Sequence, residues 1–306
     1  MFAPPPAVET SIFASLPKTL RRAEATTTMS RLLGRPIDSF LEGPSFDRDG
    51  NLFCVDLAHG RIFRVDASGH FDTVIAYDGS PNGLKIHADG RIFVADRRLG
   101  ILVIDRDATK MEVIADQLDV ERFRGPNDLV FAPNGDLYFT DQGMSDLAQR
   151  TGRVLRLKPS GKLEVVLDEL PSPNGIALDA EGRELFVALT RANSVIRATL
   201  IDGRAVRVQT YIQLSGGGGP DGLAIDRDGG LAVAHPMMGA VWLFDAIGQP
   251  QLRINMCRGK LGTNIAFGGP DGRRLFITES ESGTIQTADL PAPGLAMFSH
   301  AARDDR

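Results

Sequence analysis

The sequence predicts an all-β protein, a six-bladed β-propeller with four antiparallel strands in each blade. Two observations lead to this fold class. A unit made of a polar residue, an apolar strand, a turn and a second apolar strand occurs six times, at intervals of 40 to 47 residues, which is the spacing of propeller blades. Glycine and proline, 33 and 18 of the 306 residues, also interrupt the chain too often for long helices with apolar residues at the 3.6-residue period.

The six copies share an opening residue whose side chain carries oxygen. These opening residues are Glu42, Asn82, Asn127, Asn174, Asp221 and Thr263. Each copy then contains a hairpin turn made of residues that tolerate positive φ. The turns are Asp49-Gly50, Asp89-Gly90, Asn134-Gly135, Glu181-Gly182, Asp228-Gly229 and Asp271-Gly272. The strand after each turn is rich in apolar and β-branched residues, so each copy predicts one blade.

The sixth copy contains three strands and then runs into a proline-rich end, Pro291-Ala292-Pro293-Gly294. Its fourth strand must therefore come from elsewhere. We expect the N-terminal segment, at Val8 to Ala14, to supply it and to close the ring without a free edge. The chain then divides into an N-terminal arm (1–39), the propeller (40–290) and a C-terminal tail (291–306).

Composition excludes several classes of function. The chain has 39 acidic and 34 basic residues, a net charge of −5, and no clustered basic footprint, so we expect no nucleic-acid partner. No stretch approaches the roughly 18 apolar residues of a membrane span, and no signal peptide is evident, so we expect a cytoplasmic protein without a membrane partner. Cys54 and Cys257 are far apart, which fits a reducing compartment. The sequence does not indicate an oligomeric state.

The opening residues are the first candidates for a functional site. If the first strands of all blades line the central channel, their opening residues meet around one axis. Turn chemistry at loop-to-strand junctions could explain any single Asn or Asp, but it does not require a Glu in the first copy. Two carboxylates and several amide oxygens suit a hard cation. We therefore expect one divalent cation, Ca²⁺ first, with Mg²⁺, Mn²⁺, Zn²⁺ and Fe²⁺ as alternatives.

The ends of the second strands should form an outer ring on the same face. The residues that we expect to bind substrate come from both rings: Asn82, Arg97, Asp141, Gln142, Arg191 and Thr263. The two arginines are natural partners for an anion. His235 is the candidate proton shuttle, because histidine titrates near neutral pH. The run Gly216 to Gly219 lacks the Lys-Ser/Thr of a phosphate-binding loop, so it predicts a flexible loop.

Four short motifs, together with the later Phe267-Gly268-Gly269, carry a family resemblance. The motifs are Phe40-Leu41-Glu42-Gly43-Pro44, Pro126-Asn127-Asp128-Leu129, Pro173-Asn174-Gly175 and Pro220-Asp221-Gly222. In this order, over residues 40–290, they resemble the senescence marker protein (regucalcin), gluconolactonase and luciferin-regenerating-enzyme family of six-bladed propellers.

The resemblance implies one catalytic divalent metal, ligated by Glu42, Asn127, Asn174 and Asp221, with Asp221 also acting as the general base. Animal members of the family carry an arginine, used on the sugar-lactone substrate, two residues before the third-blade asparagine. This chain has Gly125 there.

These observations predict a metal-dependent hydrolase that opens a sugar or other small lactone. The cation would polarise the ring carbonyl and activate a water molecule for attack. One alternative is hydrolysis of another ester or of an organophosphate on the same metal. The other is a non-catalytic binding propeller with a structural metal. No serine lies in a Gly-x-Ser-x-Gly elbow, so serine hydrolase chemistry has no local support.

Overall fold

Six antiparallel sheets form a closed ring, which confirms the predicted six-bladed propeller. The structure, a computed structural model, describes residues 4–22 and 28–301. Blade one contains β3 (Leu41–Phe46), β4 (Leu52–Asp56), β5 (Arg61–Val65) and β6 (Phe71–Ala76). Blade two contains β7 (Pro81–Ile86), β8 (Ile92–Asp96), β9 (Gly100–Ile104) and β10 (Met111–Ala115). Blade three contains β13 (Pro126–Phe131), β14 (Leu137–Asp141), β15 (Gly152–Leu157) and β16 (Leu163–Leu170).

The other three blades follow the same order. Blade four contains β17 (Pro173–Leu178), β18 (Glu184–Leu189), β19 (Ser194–Ile201) and β20 (Arg204–Gln213). Blade five contains β21 (Leu223–Ile225), β22 (Leu231–His235), β23 (Ala240–Phe244) and β24 (Pro250–Asn255). Blade six contains β25 (Gly262–Gly268), β26 (Arg274–Glu279) and β27 (Thr284–Asp289), and its fourth strand comes from the N-terminus.

The remaining elements are short. They are the strands β1 (Ala7–Glu9), β2 (Ser11–Ser15), β11 (Gln117–Leu118) and β12 (Glu121–Arg122), the helix α1 (Thr28–Leu33), and 3₁₀ turns at Lys18–Leu20, Thr190–Ala192 and Phe298–His300. None of the helices within residues 4–22 and 28–301 has the length and apolar character to cross a membrane.

Glycines in the predicted hairpin turns let the first two strands of each blade pair closely. All six have positive φ, between 67° and 93°, a conformation that other residues rarely adopt. Apolar side chains on the faces of adjacent blades then pack together. Phe93 of blade two, for example, meets Phe131 of blade three edge to face, with ring centroids 5.0 Å apart. The apolar faces of each blade are therefore covered by the two neighbouring blades. Closure of the ring gives every blade a neighbour on both sides.

The N-terminal segment closes the ring as predicted, although it does so with two strands. β2 pairs antiparallel with β27 and completes blade six, whereas β1 pairs parallel with β24 and adds a fifth strand to blade five. The predicted single strand from Val8 to Ala14 is thus divided at Thr10. The Thr10 hydroxyl donates to Gln286 Oε1 at 2.6 Å and accepts from the backbone N–H of Cys257 at 2.9 Å, which ties the junction to the ring.

Residues 291–301, in the predicted tail, cross the channel at the end where the first strands finish. The Leu295 N–H donates to the carbonyl of Ile225 at 3.0 Å, and the Ser299 hydroxyl donates to that of Phe46 at 2.8 Å. Phe298 stacks on Phe131 with ring centroids 4.7 Å apart. This segment therefore covers one mouth of the channel and leaves the other mouth for the candidate site.

Phe13 allows a test of ring closure, because it packs edge to face on Phe276 with ring centroids 5.2 Å apart. We expect Phe13→Ala to lower the free energy of unfolding by roughly 2 kcal/mol, since it removes this contact from the closing strand. Ile12→Ala, on the exposed face of the same strand, should change it by less than about 0.5 kcal/mol. Urea denaturation measures both, and equal effects would contradict the assigned register.

Candidate metal centre

Irregular pairing at the start of five first strands interrupts the regular alternation of side chains at the opening residues. The register between first and second strands shifts between Glu42 and Ser45, between Pro126 and Leu129, and between Pro173 and Ile176. Such a bulge re-aims side chains locally. In blade five, Asp221 precedes the short strand β21 and is held by its N–H, which donates to the carbonyl of Ala234 at 2.9 Å.

Glycines directly after four opening residues allow the first strands of neighbouring blades to approach closely. A Cβ atom on Gly43 would lie 2.5 Å from the carbonyl oxygen of Asn82, and one on Gly175 would lie 2.2 Å from that of Asp221. The hydroxyl of Thr263 donates to the carbonyl of Leu41 at 3.0 Å and links blade six back to blade one. The six opening residues therefore form a continuous inner ring.

Burial of negative charge is the main electrostatic feature of this ring. Glu42 is buried, and desolvation raises its pKa from 4.5 to about 8, with a further increase from the charge of Asp128. Burial also raises the pKa of Asp221 well above its ordinary value, and the charges of Glu42 and Asp128 raise it further. Glu42 and Asp221 thus interact across the channel, and a cation between them would relieve the unfavourable burial of both charges.

Unpaired oxygen atoms point to the same place. Asn174 Oδ1 and Asp221 Oδ1 are buried and have no hydrogen-bond partner within the described residues. The amide nitrogen of Asn174 donates to Thr190 Oγ1 at 3.2 Å, and that of Asn127 donates to Gln142 Oε1 at 2.9 Å. Both asparagines use their nitrogen as a donor, which leaves the carbonyl oxygen for a cation. A buried oxygen without a partner is unfavourable unless a ligand satisfies it.

The residues present therefore fit a hard divalent cation. In the described part of the chain no three His, Cys, Asp or Glu side chains are grouped as a metal site, so a cation here depends on amide oxygens in addition to carboxylates. Carboxylate and amide oxygens are the ligands that Ca²⁺ prefers, and a thiolate or imidazole site for zinc is not formed.

Asp128 and Asn264 belong to the site and were not among the residues selected from the sequence. They occupy the position at which four blades have glycine, in blades three and six, and Asn264 Nδ2 donates to Asp128 Oδ2 across the channel at 3.3 Å. Lys85 Nζ lies 3.9 Å from Asp128 Oδ1. The sequence contained a signal for this bridge between Asp128 and Asn264, because these two copies of the repeat lack the glycine that the other four have at this position.

Aspartates at the ends of the second strands in blades one to three make the same hydrogen bond to the backbone. Asp56 accepts the N–H of Phe40, Asp96 that of Ser80, and Asp141 that of Gly125, all at 2.8 to 2.9 Å. Each carboxylate thereby fixes the loop that leads into the first strand of its own blade. The other oxygen of Asp141 accepts from Arg153 Nε at 2.9 Å, so both oxygens are already engaged. We expect Asp141 to support this loop, and its contact with substrate stays a prediction.

Two predicted substrate-binding residues meet beside the inner ring. Arg97 Nη1 donates to Gln142 Oε1 at 2.7 Å, the same oxygen that accepts from Asn127, while Gln142 Nε2 donates to Ser172 Oγ at 3.0 Å. Desolvation lowers the pKa of Arg97, and the charges of Asp141, Glu42 and Asp221 act in the opposite direction.

The remaining predicted substrate-binding residues lie in different surroundings. Asn82 and Thr263 are buried in the inner ring, and the hydroxyl of Thr263 is engaged with Leu41, Thr278 and Ser280. Arg191 is exposed on the 3₁₀ turn at Thr190–Ala192.

His235 is buried, and both of its ring nitrogens have partners. Trp242 Nε1 donates to Nδ1 at 3.2 Å, which requires Nε2 to carry the proton and donate to the carbonyl of Gly216 at 3.0 Å. Burial lowers the pKa of His235 and so favours the neutral ring. These contacts suit a role in holding the loop Gly216 to Gly219, and the role of proton shuttle stays a prediction.

A cavity of about 690 Å³ lies at the end of the channel opposite the candidate metal centre. Its walls include Ile86, Phe131, Leu178 and Ile225, which are at the ends of first strands, and residues 295–301 cover it. Lys85 lines this cavity and also approaches Asp128. The layer containing Asp128 therefore separates an apolar space from the polar centre above it.

Comparison with known proteins agrees with this geometry. Residues 40–281 match the family model described as the SMP-30/gluconolactonase/LRE-like region. The chain belongs to this family. It is 29% identical over 274 residues to a gluconolactonase from Zymomonas mobilis, covering 79% of this chain and 76% of that protein. It is 28% identical over 274 residues to diisopropyl-fluorophosphatase from Loligo vulgaris, covering 80% of this chain and 87% of that protein. A solved gluconolactonase structure from Xanthomonas campestris is 26% identical, with a TM-score of 0.73 and coverage of 83% and 86%.

Stability of the metal-free protein should depend on pH through Glu42. Its pKa is about 8 when folded and about 4.5 when unfolded, so its contribution is fully present below pH 4.5 and is lost as the pH rises to 8. We expect the melting temperature in chelator to fall over this range, and Glu42→Gln to reduce that fall. Differential scanning calorimetry measures the melting temperature at each pH. Glu112→Gln, at an exposed position, is the control. An identical pH dependence in Glu42→Gln and the parent would contradict the assignment.

Proposed function

We propose that this protein is a hydrolase that opens a small lactone with the help of one divalent cation, Ca²⁺ in the first instance. The unpaired, buried oxygens of Asn174 and Asp221 are the observation that carries the proposal. Similarity to gluconolactonases over about four fifths of the chain supports lactones as the substrate class. Glu42, Asn127, Asn174 and Asp221 would hold the cation, which when bound would polarise the ester carbonyl and lower the pKa of water.

Asp221 is the proposed general base. One of its oxygens has no protein partner, and burial raises its pKa, which makes its carboxylate a better proton acceptor than one on the surface. Asn174 and the charge of Arg97 act against that increase, and a nearby cation would do the same. Glu42, whose other neighbours include the N–H of Gly43 at 3.0 Å, is proposed as a ligand only.

Gln142 is proposed as the group that orients Asn127. It accepts from the amide nitrogen of Asn127 and donates to Ser172, so the carbonyl oxygen of Asn127 is left facing the channel. Below this polar group, Asn264 and Asp128 bridge the channel. The open mouth is the path for substrate, and Arg97 and Gln142 are the proposed polar contacts at its edge.

A second candidate function is hydrolysis of an organophosphate at the same centre. It is favoured by the similarity to diisopropyl-fluorophosphatase, which covers 87% of that protein. The same cation would polarise a phosphoryl oxygen in place of a carbonyl oxygen. A panel of lactones, open-chain esters and phosphotriesters, assayed under the same conditions, separates the two.

The proposal requires metal-dependent turnover. We expect chelation to abolish lactone hydrolysis measured in a pH-stat, and added Ca²⁺, Mg²⁺ or Mn²⁺ to restore it, because two buried carboxylates cannot organise the site without a cation. Asp221→Asn should lose most of the restored activity. Turnover that is unaffected by chelation would contradict the proposal, and metal binding without turnover of any ester would favour a binding propeller.

Cation affinity provides a separate test of the ligand set. Asn174→Ala should weaken Ca²⁺ binding, measured by calorimetry, by about tenfold or more, because it removes a buried oxygen aimed at the site. Asn255→Ala, in the outer strand β24 of blade five, is the matched control and should leave the affinity unchanged. Equal affinities in both variants would remove Asn174 from the ligand set.

A further inference from the structure

We infer that the lactone carries an anionic substituent, a carboxylate or a phosphate, and that Arg97 binds it. This inference rests on the proposed function, because it names the class of substrate that the same site would accept. Arg97 follows β8 of blade two and reaches across to blade three, so its guanidinium lies beside the inner ring and not in a blade core.

The guanidinium of Arg97 has only neutral acceptors. It donates to Gln142 Oε1 at 2.7 Å and to the carbonyl of Gly143 at 3.3 Å, and within the described residues no carboxylate oxygen lies within 4.0 Å of its nitrogens. Two arginines in the third strands of blades one and three differ. Arg61 pairs with Asp56, and Arg153 with Asp141 at 2.9 Å. Arg97 is thus a fixed cation with no carboxylate in direct contact, and the charges of Asp141, Glu42 and Asp221 act on it only from a distance.

The charges of the site favour an anion once a cation is bound. Glu42, Asp128 and Asp221 bring three negative charges, and Lys85, 3.9 Å from Asp128, brings one positive charge. A divalent cation makes this group neutral. The positive charge of Arg97 then lies at the mouth of the site with no carboxylate in contact with it, and its side chain is only partly buried.

Two glycines flank this charge. A Cβ atom on Gly125 would lie 3.7 Å from Arg97 Nη2 and 3.5 Å from the Cα atom of Gly143. Both glycines have positive φ, 143° and 57°, so the backbone itself disfavours a side chain at either position. Position 125 therefore places no side chain beside the guanidinium, whereas the side chain of Arg124 packs against Gly143. A substituent on the substrate would approach Arg97 from the side of Gly125 and meet the planar fork of donors that the guanidinium presents.

The test compares lactones that share a ring and differ in charge. We expect the Ca²⁺-loaded protein to prefer 6-phospho-D-glucono-1,5-lactone over D-glucono-1,5-lactone by on the order of tenfold or more in kcat/KM, because a hydrogen bond to a charged group is worth about that much. Arg97→Gln should reduce this ratio towards one, mainly through KM, since the contact is remote from the reacting carbonyl. Arg97→Lys should restore part of the ratio because it keeps the charge and loses the fork.

Arg98→Gln is the matched control. Arg98 is the next residue, is exposed and pairs with Asp78 at 2.6 Å, so its loss removes one positive charge without touching the site. We expect the preference for the phosphorylated lactone to persist in this variant. Ca²⁺ affinity is measured for every variant, so that a loss of selectivity is not confused with a loss of the cation through Gln142 and Asn127.

The outcomes separate this inference from the proposed function. Hydrolysis of both lactones at equal efficiency, or a preference that survives Arg97→Gln, would overturn the role of Arg97 and leave the lactonase proposal intact. If neither lactone is hydrolysed, the proposed function fails, and calorimetry with 6-phospho-D-gluconate and D-gluconate then decides the anion site. Binding of the phosphorylated acid that is tighter than that of D-gluconate and is lost in Arg97→Gln supports it, and equal binding overturns it.

Discussion

Negative charge buried around the channel axis is the constraint on which the rest of this structure depends. Glu42 and Asp221 come from blades one and five, and Asp128 comes from blade three, so residues nearly 180 positions apart share one small volume. Such burial is strongly unfavourable without a positive partner. Lys85 balances one charge. The remainder has a physical explanation if a divalent cation binds there, and the free oxygens of neighbouring asparagines supply the other ligands that a hard cation needs.

The architecture delivers these residues without placing any of them on a flexible loop. In five blades the opening residue is at an irregularity in the first strand, and in blade five Asp221 directly precedes that strand. The carboxylates of Asp56, Asp96 and Asp141 fix the loops that enter the first strands of blades one to three. Glycines such as Gly43 and Gly175 let the strands approach until only backbone separates neighbouring blades. Closure by β2 makes the ring continuous, so the position of each proposed ligand depends on all six blades together. This arrangement holds a site rigid before any ligand binds.

Much of the fold could be predicted from the sequence, because each of the six copies contains its own strands and hairpin turn, and the spacing between the copies is that of propeller blades. Closure by the N-terminus followed from a missing strand, although the division at Thr10 depends on a hydrogen bond to Gln286 that is 276 residues away in the chain. The site was less accessible. The direction of the Asp141 side chain is set by Gly125 and Arg153, and a sequence pattern does not reveal which of two faces of a loop a carboxylate serves.

The most direct test of the account is anomalous diffraction from crystals grown with Mn²⁺ in place of Ca²⁺. The account predicts one strong peak on the channel axis, within about 2.0 to 2.6 Å of side-chain oxygens of Glu42, Asn127, Asn174 and Asp221. A peak elsewhere on the protein, or a channel in which these oxygens bond to one another and exclude the ion at saturating Mn²⁺, would contradict it.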